Sequence, residues 1–282
     1  MWKLGKPLLE DALLDIDKII SVSGGKLDYS MKPTMGYAVR LYDRNGGSVS
    51  KAILSQFTQN EADQIHDMYG SKTYEGKDLY YIRKELFENV DLCPLCGINP
   101  PSQLDHQMPK SVYKPLALCR LNLVPTCGVC NNKKSTKPYN DFIHPYYADF
   151  PNGIVFLIAN IHVNTNVHKF SWYYEIDYRQ FSKNSELKQK VEKQIQHVKL
   201  LRRLLKESHR FVADIFSGNS FDSKNALKDF LRIQFNSYLN RYGRNDWRTT
   251  ILYGIYISDK IGVDEIKWFV GKTKLVNGGY NI

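Results

Sequence analysis

The sequence predicts an α+β fold, a mainly helical chain that carries one short cysteine-bracketed module and additional β-hairpins. Three observations predict it. Apolar residues recur every three or four positions over several long stretches, two other stretches alternate apolar and polar residues, and two Cys-x-x-Cys pairs enclose a polar segment. At 282 residues, with 43% hydrophobic and 24% charged residues, the chain has the composition of an ordinary globular protein. It divides into a mixed N-terminal region, 1–88, the cysteine module, 89–150, and a hairpin followed by helices, 151–282. No internal repeat or low-complexity segment appears.

In chain order, Leu9, Leu13, Ile16 and Ile20 mark one face of a helix over Lys6–Ile20. The stretch Gly36 to Leu54, broken by Asn45-Gly46-Gly47, predicts a β-hairpin closed by an Asn-Gly turn. Glu61–Met68 and Tyr80–Asn89 read as helices, with His66 on the exposed side of the first. After Pro138, the aromatic, proline-rich run to Gly153 reads as an irregular connector in which His144 packs. Gly153–Val163 and His168–Tyr178 read as paired strands, with Phe170, Trp172, Tyr174, Ile176 and Tyr178 on a buried face and His162 and His168 at the surface. Glu186–Phe216 reads as one long helix, followed by Asp222–Tyr242, Trp247–Tyr256 and Asp264–Val270.

The pairs Cys93/Cys96 and Cys127/Cys130 have the spacing of a closed four-thiolate site, which zinc prefers and which can fold a segment too poor in apolar residues to fold itself. Cys119, in an apolar context, reads as a packing residue. Four of five cysteines in metal spacing suit a reducing compartment. The longest apolar runs are too short to span a bilayer, and acidic and basic residues interrupt the first twenty positions, so the expected location is cytoplasmic, with no membrane partner.

Lys and Arg number 39 against 29 Asp and Glu, a formal charge of +10, which favours a polyanionic partner. The excess concentrates where it could matter. Lys110, Lys114, Arg120, Lys133, Lys134 and Lys137 surround Asp105 as candidate phosphate contacts. Asp105 next to His106 sets a hard oxygen ligand beside a proton acceptor that titrates near neutrality, the parts needed to hydrolyse a phosphodiester.

Asp105-His106, the Asn122-Leu pair and Asn131 directly after the closing Cys-x-x-Cys together make the segment Cys93–Pro138 resemble the HNH, or ββα-metal, nucleases. That resemblance covers about a sixth of the chain and departs from the family's histidine at the third position, where asparagine also occurs in the family. It implies a zinc-stapled nuclease module over 89–150. His106 would be the general base, Asn122 the residue that braces the loop and aims it, and Asp105 with Asn131 (or Asn132) the ligands of one Mg²⁺ or Mn²⁺ distinct from the zinc. The substrate would be nucleic acid, double-stranded DNA above all. The run His106-Gln-Met-Pro-Lys-Ser-Val-Tyr113 is similar to a narrower branch, the nucleases of bacterial anti-phage systems of the Septu and retron-associated kind, which implies an ATPase partner and a defence role. Two other classes fit the same residues: a zinc-knuckle module that binds nucleic acid without cutting, and an interaction protein whose helices after Asn184 do the work.

Overall fold

The computed structural model describes residues 3–88, 90–150 and 153–273. They cluster into two units, one made of 1–150 with 186–198 and the other of 151–185 with 199–282. The fold is mixed, mostly helical, with two small two-stranded antiparallel sheets.

The first unit opens with α1 (Leu9–Ser21), which packs on α2 (Lys32–Arg44). The expected hairpin over 36–54 is therefore wrong, and the reason is periodicity. Met35, Ala38, Val39 and Tyr42 fall at helical spacing and are all buried on one face, whereas the strand reading needed alternation. Pro33 sits in the first turn, where its missing N–H costs nothing. The Asn-Gly-Gly sequence ends this helix and does not turn a hairpin. Gly46 and Gly47 have φ of +64° and +88°, and their amides bond back to the carbonyls of Asp43 and Tyr42.

A single turn, α3 (Lys51–Leu54), leads to α4 (Gln59–Lys72), whose start is fixed by a capping box between Thr58 and Glu61. Helix α5 (Tyr80–Phe87) follows. Strands β1 (Gln103–His106) and β2 (Leu123–Thr126) then pair antiparallel, with Asp105 opposite Val124 and His106 opposite Leu123. Cys127 caps the short α6 (Gly128–Lys134) directly after β2. This hairpin is rooted in the helical core: Leu104, Met108, Leu116, Leu121 and Leu123 are continuous with Ile16, Val39, Tyr42 and Ile65. Each such buried side chain contributes about 1.5–3 kcal/mol relative to exposure.

Residues 185–216 form two helices where one was expected. In α7 (Ser185–Val198) the buried stripe runs through Leu187, Val191, Ile195 and Val198, and in α8 (Leu200–Phe216) it restarts at Leu200 and Leu204. Leu201 and Leu205, which one unbroken stripe would bury, are only partly buried. Lys199 between them is left-handed, φ +50°, and breaks the phase.

In the second unit, β3 (Leu157–Asn164) pairs with β4 (Lys169–Ile176) around a tight connection in which His168 has φ +51°. Phe170, Trp172, Tyr174 and Ile176 are buried, so this aromatic face is core, while Tyr178 starts a short 3₁₀ turn. Trp172 donates to Ser208 Oγ on α8 at 2.8 Å and the Tyr174 hydroxyl to the Trp247 carbonyl at 3.1 Å. The unit is completed by α9 (Lys224–Tyr242), capped by Ser223, α10 (Trp247–Ile257) and α11 (Val263–Thr273). Among the described residues no helix is long and apolar enough to cross a membrane.

Gly47 has no room for a side chain: a Cβ there would stand 2.3 Å from the buried His144 ring and 2.8 Å from Tyr147, at a φ that L-residues avoid. Gly47→Ala is expected to cost roughly 2–5 kcal/mol, read as a lower urea midpoint; a parental midpoint would show that the His144 packing is wrong.

Candidate active site

The two cysteine knuckles meet at the start of α6. In the first, the amides of Cys96 and Gly97 both turn back to the Cys93 carbonyl, and Gly97 takes φ +59° to close the turn. In the second, the helix cap itself presents Cys127 and Cys130. All four cysteines are buried and their sulfurs lie within 4.8 Å of one another. Four sulfurs about 2.3 Å from a tetrahedral zinc stand about 3.8 Å apart, and Cys96 and Cys127 Sγ are 3.8 Å apart. The donor set and spacing therefore suit a metal such as zinc. Cys119 is remote from them, packed in the core with its thiol pushed up to about 12 by burial.

Asp105 and His106 end β1 side by side, both more than nine-tenths buried yet both lining a cleft of about 740 Å³. Asp105 pairs with Lys134 Nζ at 3.0 Å, and Lys134 also donates to the His106 carbonyl at 2.7 Å. Burial raises the Asp105 carboxyl above the usual range even so, because the lysine only partly offsets the lost hydration.

His106 Nε2 is 3.0 Å from the Ala117 carbonyl. A carbonyl only accepts, so Nε2 carries the proton and Nδ1 keeps a lone pair. Burial, helped by Lys110 and Lys134, pushes this imidazole down to about 3, which leaves it neutral at pH 7. The Tyr69 ring packs edge-on against it at 4.5 Å, and the Tyr69 hydroxyl donates to the Leu104 carbonyl.

Asn122 is wholly buried and uses all its hydrogen-bonding capacity. Its Nδ2 donates to the carbonyls of Met108 and Leu116 at 3.1 and 3.2 Å, and its Oδ1 accepts from Met108 N at 2.8 Å and the Tyr42 hydroxyl at 3.0 Å. One side chain thus ties Met108, two residues past His106, to the loop whose next carbonyl, Ala117, holds the ring. Behind it, His144 Nε2 donates to the Tyr42 oxygen at 2.9 Å, and Tyr146 N donates to His144 Nδ1. His144 is therefore part of a buried relay and more than loop packing.

On α6, Asn131 Nδ2 donates to Gln103 Oε1 at 2.6 Å. Gln103 and Asp105 lie two apart on β1 and so share a face, and Asn131 and Lys134 lie three apart on α6, so Asn131 is on the Asp105 side with its amide oxygen still available. Asn132 is exposed at the cleft rim.

Two of the expected phosphate contacts do not reach a surface. Lys134 is completely buried against Asp105. Arg120 is 4% exposed, bidentate to Asp15 at 2.6 and 2.7 Å and bonded to Glu85 at 2.9 Å, so it clamps α1 and α5 to the loop before β2. Lys114 pairs with Asp63 at 2.5 Å, and Lys137 bonds the Lys133 carbonyl. Of the six, Lys110 alone lines the cleft. The opposite wall comes from α4, α5 and the turn between them, through His66, Tyr69, Tyr74 and Arg83. From the sequence His66 reads as an exposed residue and the other three carry no signal, because nothing in the chain marks α4 and β1 as neighbours. Comparison of the chain with protein-family models, curated proteins and solved structures finds no match in any of the three.

The His144 relay has a pH signature. Burial holds its folded-state pKa near 3, whereas the unfolded imidazole titrates near about 6.5. Below about pH 6.5 the unfolded chain takes up a proton that the native fold refuses, so stability falls as pH drops towards 3, by about 1.4 kcal/mol per pH unit for each such group. His144→Gln is expected to flatten the dependence of unfolding free energy on pH between 6 and 4.5 by about one proton; an unchanged slope would mean His144 is solvated.

Proposed function

We propose that the cleft is the active site of a metal-dependent HNH-type endonuclease, which hydrolyses phosphodiester bonds of nucleic acid. The observation that carries this reading is the convergence on one cleft of a neutral imidazole with an unprotonated Nδ1, an adjacent buried carboxylate and a helix-borne asparagine, all held by a hairpin and helix joined at four cysteines.

A phosphodiester resists water because its anionic oxygens repel the nucleophile and the departing alkoxide is strongly basic, so a base and a cation are both required. The residues present offer oxygen donors that suit a hard divalent cation: the Asp105 carboxylate lines the cleft beside its Lys134 partner, and the Asn131 amide oxygen lies on its side of the helix. Mg²⁺ or Mn²⁺ held there would neutralise the phosphate and favour the leaving oxygen. Lys134 keeps Asp105 in place, with the strand fixed through the His106 carbonyl.

His106 Nδ1 accepts the proton of the attacking water while its Nε2–H stays on Ala117. A phosphate anion in the cleft favours the imidazolium and so raises the basicity that burial suppresses. Asn122 holds the chain at Met108, two residues past His106, and at Leu116, next to the Ala117 carbonyl that holds the ring, and so acts as a positioning residue.

A zinc-knuckle module that binds nucleic acid without cutting is the second reading, favoured by the Lys134 ion pair that already occupies Asp105. A supercoiled-plasmid assay separates the two. With Mg²⁺ or Mn²⁺ the parent is expected to nick, and His106→Ala to lose about a hundredfold or more of that rate while keeping its zinc and its plasmid affinity. Equal nicking by both proteins would remove His106 as the base, and plasmid binding without nicking by the parent would favour the binding module.

A further inference from the structure

The wall facing His106 belongs to no part of the hairpin and helix that carry the proposed chemistry, and its side chains are arranged for a ligand. Tyr74, in the turn between α4 and α5, is 53% exposed. The Arg83 guanidinium lies 4.7 Å from its ring centroid. One face of the ring is therefore backed by a cation, and the residue, more than half exposed, lines the cleft. Arg83 spends its Nε on the Thr73 carbonyl and one Nη2 donor on the Tyr69 hydroxyl, which leaves three of its five N–H groups for another acceptor. Across the cleft, Lys110 Nζ stands 5.1 Å from the centroid of the Tyr69 ring and makes no ion pair among the described residues.

An open aromatic face next to two cations within one cleft matches a nucleotide: the ring takes a base, and the cations take the phosphates on either side of it. A base inside a duplex has both faces covered by its neighbours, so it can reach such a ring only when unpaired. We infer that the α4–α5 wall is a subsite for one unpaired nucleotide flanking the scissile phosphate, with its base on Tyr74 and its phosphates on Arg83 and Lys110, and that the substrate is single-stranded or locally unstacked nucleic acid. This rests on the nuclease reading of the cleft, and it replaces intact duplex as the preferred substrate.

Binding is measured without turnover, by fluorescence anisotropy of the zinc-loaded protein with no added Mg²⁺ or Mn²⁺ on a His106→Ala background, with a 5′-fluorescein-labelled twenty-nucleotide dT strand and a blunt duplex of the same length as probes. The background protein is expected to bind the single strand more tightly than the duplex. Adding Tyr74→Ala is expected to weaken single-strand binding about tenfold and to leave duplex binding within about twofold, and Tyr74→Phe is expected to restore the single-strand affinity. Lys110→Gln is expected to lower the slope of log K against log salt on the single strand by about 0.7. Tyr74 is exposed, so its loss should leave the thermal midpoint unchanged. The subsite is wrong if Tyr74→Ala binds the single strand as its background does, or weakens both probes alike. The nuclease reading fails separately: Tyr74-dependent single-strand binding in a protein that never nicks with Mg²⁺ or Mn²⁺ would leave the subsite standing and remove the chemistry.

Discussion

A seven-residue helix has no stability of its own in water, since isolated helices shorter than about 12 residues are marginal even with favourable sequences. Helix α6 nonetheless carries Asn131 and Lys134, the two residues that meet β1 at Asp105 and Gln103. Four sulfurs converge at its first turn, and a metal bound by them would hold it in place together with its bonds to Gln103 and Asp105. A zinc ion there would convert two loops and a helix cap into one rigid corner, and every distance in the cleft depends on that corner. Four thiolates around zinc leave no open position for chemistry, which is why the proposed catalysis needs a second, oxygen-bound ion.

The corner is also fastened from behind. Asn122 and Arg120 lie two residues apart just before β2, and they face different tasks. Arg120 fixes the segment to α1 and α5 through three charged hydrogen bonds, and Asn122 fixes the two ends of the loop around His106. Removing one partner of such a buried ion pair leaves the other uncompensated, a cost of about 3–5 kcal/mol. The N-terminal helices are thus part of how the His106 ring is held, and through Tyr69 they also touch it directly.

How much of this was legible before the structure differs from residue to residue. The cysteine spacing, the helical face of α1 and the alternation in β4 could be read because each is a local pattern imposed by one physical cause, metal geometry or burial of one face. The segment around α2 could not, because Asn-Gly-Gly serves a hairpin turn and a helix end equally well, and only the burial of Met35, Ala38, Val39 and Tyr42 on one face decides between them. The break at Lys199 was hidden because two helical stripes with shifted phase read as one continuous stripe when their partners are unknown. At the site, Asp105, His106 and Asn131 share a short segment and could be named together. Lys134 and Arg120 were mistaken for surface charges, since their carboxylate partners lie 29 and 105 residues away. The Tyr69, Tyr74 and Arg83 wall was invisible for the same reason.

The most direct measurement is an anomalous-scattering map from crystals of the zinc-loaded protein soaked in Mn²⁺, recorded at the zinc and manganese edges. The account predicts a zinc peak among Cys93, Cys96, Cys127 and Cys130 and a separate manganese peak in contact with Asp105 and Asn131, within the cleft that His106 lines. A map with zinc in place and no manganese at Asp105, or with manganese bound only elsewhere, would contradict it.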